Sequence, residues 1–473
     1  MLKRVRIILT VLLLLATVGV DAQVTTASMA GKVTDASNEP IIGATVQAVH
    51  QPSGSRYGTV TNVDGRYSIQ GMRTGGPYRV EISYIGYQTV IYKDITLQLG
   101  EVYNLNVEMS ESSELLNEVI VTAAKTKFTA EKTGATTNIS SAQITQLPTV
   151  NRSISDIARL SPYANGMSFA GGDGRSTNFT IDGANFNNNF GLSSNLPGGG
   201  NPISMDAIEE VQVVVAPFDV RQTNFIGGGI NAITKSGTNT FRGTAYTYYR
   251  NQDMRGNRIN GEDLGARSDE SKTTYGFTLG GPIIKNKLFF FVNYEKEKTP
   301  GEVIKYRARE DGEDAKGMVS RTLKSDMEKV YNHLKDKYGY DAGSYTNFPA
   351  DEENTKLLAR IDWNITDRHR LSLRYNNTKN TAWNAPNGNS SDTGYRLNNT
   401  YRVGTQSMAF ANSMYSMDNK VQSWAADLNS RFTDKISNQL LFTYTNIEDM
   451  RGTNSSPFPF IDIMAGKDEN GNQ

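Results

Sequence analysis

Side chains suited to covalent or metal chemistry are sparse in this sequence. Among 473 residues there is no cysteine and there are only three histidines, His50, His333 and His369, scattered along the chain. The missing cysteine rules out a disulfide framework, a thiolate metal site, a thiol nucleophile and a lipid-modified N-terminal cysteine. The three histidines form no sequence cluster, and His50 and His333 read as surface positions. No His–Asp–Ser arrangement or paired-acid spacing stands out, so no catalytic constellation, cofactor site or metal site is expected. Two glycine groups, Gly171-Gly172-Asp173-Gly174 and Gly227-Gly228-Gly229, invite comparison with phosphate loops. Neither has the G-x-x-x-x-G-K-S/T spacing and neither opens a predicted helix. Glycine's tolerance of positive φ in tight turns is the better reason for them. The stretch Asn185-Phe186-Asn187-Asn188-Asn189-Phe190 combines amides with aromatic faces, which is what a ligand-contacting loop offers. A solvated loop of no special role has the same composition.

The elements that must carry these residues fall into distinct regions. Lys3, Arg4 and Arg6 precede an apolar run from Ile7 to Val20, and Val20-Asp21-Ala22 offers small residues for cleavage. This is the pattern of a secretory signal peptide over residues 1–22. The run is about 14 residues, short of the roughly 20 that a spanning helix needs. Lysine and arginine (49) balance aspartate and glutamate (49), so charge gives no hint of a nucleic-acid partner. Mean hydropathy is −0.48, which excludes a multi-helix membrane protein but not a membrane β-barrel, whose strands are apolar only at alternate positions.

Residues 23–109 show short apolar runs broken by turn signals, such as Asn38-Glu39-Pro40 and Asp64-Gly65. Such spacing predicts an all-β sandwich of about seven strands. After the Ser/Glu-rich stretch Ser110 to Glu114, the β-branched run Glu118-Val119-Ile120-Val121-Thr122 is short and uncapped. It suits a segment that stays unpaired and adds to another protein's sheet edge, although an ordinary first strand of the next domain has the same pattern. From about residue 240 the period becomes two. Leu357, Ala359, Ile361 and Trp363 alternate with Arg360, Asp362 and Asn364, and Leu371, Leu373 and Tyr375 alternate with Ser372, Arg374 and Asn376. Candidate strands run over about 241–250, 272–281, 287–297, 356–364, 369–379, 421–431 and 437–449. Their connections alternate long and short, as extracellular loops and periplasmic turns of an outer-membrane barrel do. In the longest loop, Leu323, Met327, Val330, Tyr331 and Leu334 have helical spacing after a candidate N-cap at Ser320.

Several motifs resemble known families. Gly31-Lys32-Val33-Thr34-Asp35, Pro40-Ile41-Ile42-Gly43-Ala44-Thr45-Val46, Asp64-Gly65-Arg66-Tyr67 and Tyr84-Ile85-Gly86-Tyr87 resemble the carboxypeptidase regulatory-like domain of secreted Bacteroidetes proteins. That resemblance implies an accessory domain, not a peptidase. Glu118 to Lys125 resembles the start of a TonB-dependent receptor, with Glu118 to Thr122 as the TonB-box-like segment ahead of the plug. Leu147-Pro148 with Arg152 to Pro162, Thr180-Ile181-Asp182-Gly183, and Ile208 to Val215 leading into Gly227 to Gly237 resemble its plug, in order and spacing. Ala216-Pro217-Phe218-Asp219-Val220-Arg221-Gln222 resembles the Oar-like group and not the SusC-like one.

The resemblance implies a mainly β chain: a transthyretin-like or Ig-like sandwich, a linker with the TonB-box-like segment (110–123), an α+β plug (124–239), and an incomplete antiparallel transmembrane barrel (240–473). Family barrels have about 22 strands, so seven strands imply the N-terminal portion of a longer receptor. Its partners would be TonB with its inner-membrane energising complex, outer-membrane lipid and an extracellular nutrient ligand. A non-transporting adhesion or surface-binding protein of the outer membrane is the alternative function.

Overall fold

The computed structural model describes residues 24–463 except 112–118, 123–134, 150, 189–194, 216–221, 223–225, 255, 257, 264–270, 301–303, 305, 347, 349–350, 387–402 and 406. The signal-peptide pattern, Glu118 and Ala216 to Arg221 therefore lie outside the described residues.

The N-terminal sandwich has two sheets. In one, β1 (Ala27–Asp35) pairs antiparallel with β4 (Arg66–Met72) and parallel with β7 (Val102–Asn104) and β8 (Val107–Met109). The other runs in the order β3 (Ser55–Val60), β2 (Thr45–His50), β5 (Gly75–Ser83), β6 (Val90–Leu97), β9 (Val119–Thr122). The expected seven strands become eight before β9, because the run ending near Val107 divides at Leu105-Asn106 and meets β1 twice. Side chains alternate across a strand, so Val46, Ala48 and His50 of β2 all point inward. His50 is consequently not at the surface: it is 7% exposed, beside the Tyr78 ring at 5.0 Å. Ile82 is fully buried in the same core, which stabilises the fold by about 1.5–3 kcal/mol.

The segment Val119–Thr122 is not left unpaired. It forms β9 and pairs in parallel with β6, Val90 opposite Val119 through Lys93 opposite Thr122.

The central body is a mixed five-stranded sheet in the order β10 (Ala135–Ser140), β13 (Ile208–Val215), β14 (Gly228–Thr234), β11 (Asn178–Ile181), β12 (Ala184–Asn185). Two short helices, α1 (Ser141–Gln146) and α2 (Ile154–Ala158), pack on it with Ile144, Ile154 and Ile157 buried. Their starts are capping boxes: Gln143 Oε1 accepts from Ser140 N at 3.0 Å, and Asp156 Oδ2 from Ser153 N at 3.2 Å. Pro148 follows α1 and disfavours its continuation. Among the glycines, Gly171 (φ 80°) and Gly227 (φ 100°) take the left-handed turns expected of them.

Seven antiparallel strands then form one sheet in chain order: β15 (Arg242–Asn251), β16 (Ser271–Ile284), β17 (Leu288–Thr299), β18 (Glu352–Asn364), β19 (His369–Asn384), β20 (Tyr415–Arg431) and β21 (Ser437–Gly452). Among the described residues the sheet does not close into a ring. The strands reach 17 residues in β20, longer than the period-two runs read from sequence, because polar residues extend the ladders beyond the apolar band. Tyr275, Phe277, Ile361, Leu373, Trp424, Phe442 and Tyr444 are exposed on one face. The other face, with Thr278, Asn293, Asp362, Arg374 and Asn376 buried, holds the central body. The long loop contains α3 (Lys324–Tyr338), closed by Gly339 at φ 63°. Its N-cap is Leu323, not Ser320, because Ser320 belongs to a short strand, Val319–Leu323, paired with Arg307–Arg309.

An apolar outer face makes a charge there costly. Leu373→Arg should lower the folded population in the membrane by about 2–4 kcal/mol if the site lies near the bilayer midplane. Heat-modifiability on gels after membrane extraction measures this, and an unchanged folded fraction would place Leu373 away from lipid.

Candidate functional site: a charged junction of plug, barrel and N-terminal domain

The hairpin between β11 and β12 turns through Asp182 (φ 45°) and Gly183 (φ 77°). Positive φ at both central residues is the type I′ turn that Asp-Gly favours. The turn points Asp182 back at β14, where its carboxylate accepts from Thr234 N at 3.0 Å and Thr234 Oγ1 at 2.6 Å. The same carboxylate lies 3.4 Å from Arg360 Nη1 and 3.4 Å from Arg374 Nε. Those two arginines are directly opposite each other on β18 and β19. Like charges in that position repel, and Asp182 offers the anion that both can share.

Arg360 also grips the backbone of the central body, the plug expected from the sequence, through Thr234 O at 2.8 Å, and it forks onto Asp362 at 2.9 and 3.0 Å. Asp362 is fully buried. It accepts from Ser236 Oγ of the plug at 2.7 Å and from Ser372 Oγ of the barrel at 2.6 Å, and it pairs with Arg73 Nη2 of the sandwich at 3.0 Å. One carboxylate on a barrel strand thus touches all three bodies. Buried charges persist only when paired and hydrogen-bonded, which this network provides.

Two further contacts fix the plug to the wall. Glu295 of β17 pairs with Lys356 of β18 at 2.8 Å and accepts from plug Ser204 Oγ at 2.8 Å. Pro202 O accepts from Asn376 Nδ2 at 3.2 Å and Thr378 Oγ1 at 2.7 Å.

The sandwich sits on the side of the short turns, the periplasmic side of such barrels. Asn239 N donates to Pro52 O at 2.8 Å, and Ser55 Oγ donates to Asn364 Oδ1 at 3.2 Å. Arg370 stacks 3.8 Å over the Tyr57 ring. Gly54, with φ 63°, leaves room for Asn286 in a barrel turn, whose Oδ1 would be 2.1 Å from an added Cβ. His50 Nδ1 bonds Ser53 Oγ at 2.7 Å. Burial, followed by the charge of Arg73, lowers its pKa to about 3, so the ring is neutral. Leu99 meets the plug through its backbone: its N donates to Glu210 Oε1 at 3.0 Å and its O accepts from Gln212 Nε2 at 2.6 Å. Burial raises the Glu210 carboxyl to about 8, opposed by the Leu99 N–H and reinforced by Glu101 and Glu209. A cavity of about 450 Å³ lies among the three bodies, with His50, Arg73, Asp182, Thr234, Arg360 and Asp427 on its walls beside Ile233, Phe291 and Leu371.

In the Asn/Phe stretch, Phe186 is fully buried, edge-on to Phe179 and 5.6 Å beneath Arg374. Asn185 Oδ1 accepts from Asn187 N at 2.7 Å, and Asn187 Oδ1 from Phe179 N at 2.6 Å. These side chains fold their own loop; Asn188 Nδ2 reaches Asn195 O at 3.3 Å, and Asn189 and Phe190 lie outside the described residues. Phe186 thereby brings the start of the stretch against Arg374 of the charged junction, whereas the β9 segment lies on the sandwich, paired with β6. Sequence reasoning marked the Asp182-Gly183 turn and the polar faces of β18 and β19 but not their junction. Charges at inward positions of adjacent barrel strands were the available signal. Among the described residues no group of three or more His, Asp or Glu could hold a metal.

Two predictions follow from the junction's electrostatics. Asp182→Ala leaves Arg360 and Arg374 facing each other, at a cost on the order of 3–5 kcal/mol. A lower urea midpoint for plug release would register it, partly restored by Asp182→Asn, and an unchanged midpoint would show that the pair does not hold the plug. For Glu210, whose pKa rises on folding, the contribution to docking is full below the ordinary carboxyl value of 4.5 and lost as pH rises through about 8. Proteolytic release of the sandwich should therefore speed up across that range, and Glu210→Gln should flatten the profile.

Comparison with known proteins agrees with this architecture. Residues 28–110 match the carboxypeptidase regulatory-like domain, and residues 233–303 match an outer membrane beta barrel domain. The TonB-dependent transporter Oar of Myxococcus xanthus is 25% identical over 376 residues, 74% of this chain; the chain spans 33% of that relative's length. Among solved structures, the siderophore receptor PirA from Pseudomonas aeruginosa aligns over 68% of this chain and 42% of its own, at 15% identity and a TM-score of 0.41. The outer membrane transporter YddB from Escherichia coli aligns over 68% and 40%, at 16% identity and a TM-score of 0.45. The chain thus carries a carboxypeptidase regulatory-like domain and an outer membrane beta barrel domain, and across three quarters of its length it is similar to a TonB-dependent transporter.

Proposed function

We propose that this outer-membrane receptor imports a nutrient ligand with energy delivered through TonB. The observation that carries the reading is the plug itself, held against the inner face of the strand sheet by exchangeable polar contacts centred on Asp182, Arg360 and Asp362. A plug retained by ion pairs and hydrogen bonds can be displaced by a pull on its N-terminal end, and β10, the first described strand after the Glu118–Thr122 segment, is at an edge of its sheet. Similarity to a protein named as a TonB-dependent transporter supports the same mechanism.

In this reading residues 1–22 direct export, 23–109 are the accessory sandwich, 110–123 contain the TonB-binding segment, 124–239 are the plug and 240–473 are barrel. Glu118, Val119, Ile120, Val121 and Thr122 pair with the periplasmic domain of TonB by strand addition. The ligand is met on the extracellular side, with the stretch Asn185–Phe190 as the candidate ligand-contacting segment of the plug.

Deleting Glu118 to Thr122 should abolish binding of purified TonB C-terminal domain to the detergent-solubilised receptor while leaving its amount in the outer membrane unchanged. Undiminished TonB binding would overturn this assignment and leave a surface-binding protein as the better account.

A further inference from the structure

The segment assigned to TonB is already a strand before any partner arrives. Val119 to Thr122 pair in parallel with Val90 to Lys93 and form the last strand of the five-stranded sandwich sheet. The chain is steered there. Gln88 N donates to Ser110 O at 2.9 Å, and Tyr87 bridges Glu111, so the linker begins beside the entry to β6.

Residue burial in β6 shows both faces of the strand covered where it meets β9. Val90 (5% exposed) belongs to the sandwich core, whereas Ile91 (1% exposed) lies outside that cluster. Adjacent residues point to opposite faces, so Ile91 is buried on the outer face, in register with Ile120.

In a strand, successive residues direct their N–H and C=O groups alternately to the two edges. Pairing with β6 therefore engages one edge of β9, and no further strand among the described residues pairs with the other. An unpaired edge is a template for another chain, and a template already extended and in register has less conformational freedom to lose on binding.

We propose that the N-terminal sandwich is a presenting scaffold. It holds Val119–Thr122 on β6 so that an extended strand of a periplasmic partner adds to the outer edge of β9, continuing the sandwich sheet into the partner. This rests on the reading that the partner is TonB. The binding surface is then the rim of a folded domain, with Ile91 and the β6 edge as positioning elements.

The absence of native cysteine makes the test direct. Lys93→Cys with Thr122→Cys, at register partners, should form a disulfide on oxidation in the detergent-solubilised full chain. The locked chain should bind purified TonB C-terminal domain at least as tightly as the reduced one. Ile91→Asp, which leaves the segment's own sequence intact, should weaken binding about tenfold. Failure of the disulfide to form would overturn the pairing. Loss of TonB binding in the locked chain, restored by reductant, would overturn presentation, because the segment would then have to leave the sheet to be used. Unchanged binding by the Ile91 variant would do the same. Disulfide formation is read without TonB, so it separates an error in the pairing from an error in the TonB reading, which the segment deletion tests alone.

Discussion

Arg360 and Arg374 stand opposite each other on neighbouring barrel strands, facing inward. Two guanidiniums in that position, away from bulk water, are unfavourable without an anion. Asp182 supplies it from the plug, and Asp362 supplies a second from the wall itself. The barrel's inner face is therefore electrostatically incomplete without the plug. The plug in turn gains a fixed seat, since Asp182 can reach both arginines only if the turn after β11 adopts its type I′ geometry.

The same network extends to the N-terminal domain through Arg73, which shares Asp362 with Arg360. Backbone contacts at Leu99 and Pro52 complete the docking. Most of these bonds are polar, as suits surfaces that separate more readily than an apolar core does. The apolar cores of the sandwich and the plug remain distinct clusters. The plug cluster takes in Phe291, Leu358 and Val421 of the barrel wall, so separating plug from wall exposes apolar surface as well as exchanging ion pairs for water, whereas the sandwich core stays intact.

Period-two alternation made the barrel strands legible, because the lipid face needs an apolar residue at every second position. Leu371, Leu373 and Tyr375 against Ser372, Arg374 and Asn376 is such a case, and the long and short connections followed with it. The Asp182-Gly183 turn was legible for a local reason, since few residues accept positive φ. His50 was misplaced because one histidine between a β-branched run and a turn looks like the end of a strand in solvent; the inward register of Val46 and Ala48 carries it into the core. Ser320 was misplaced because a hydroxyl three residues before an apolar periodicity resembles a cap, and strand pairing of Val319–Leu323 with Arg307–Arg309 displaced the helix start.

What the sequence by itself determined is the local chemistry of each segment: which residues alternate, which turns are permitted, which faces are apolar, and that no thiol chemistry exists. Only the tertiary structure decided which charges meet, because Asp182, Arg360, Asp362 and Arg73 come from segments far apart in the chain. It also decided that the β-branched segment after the sandwich rests on β6. A short apolar strand pattern specifies an extended backbone, but its hydrogen-bond partner is whichever edge the surrounding fold brings alongside it.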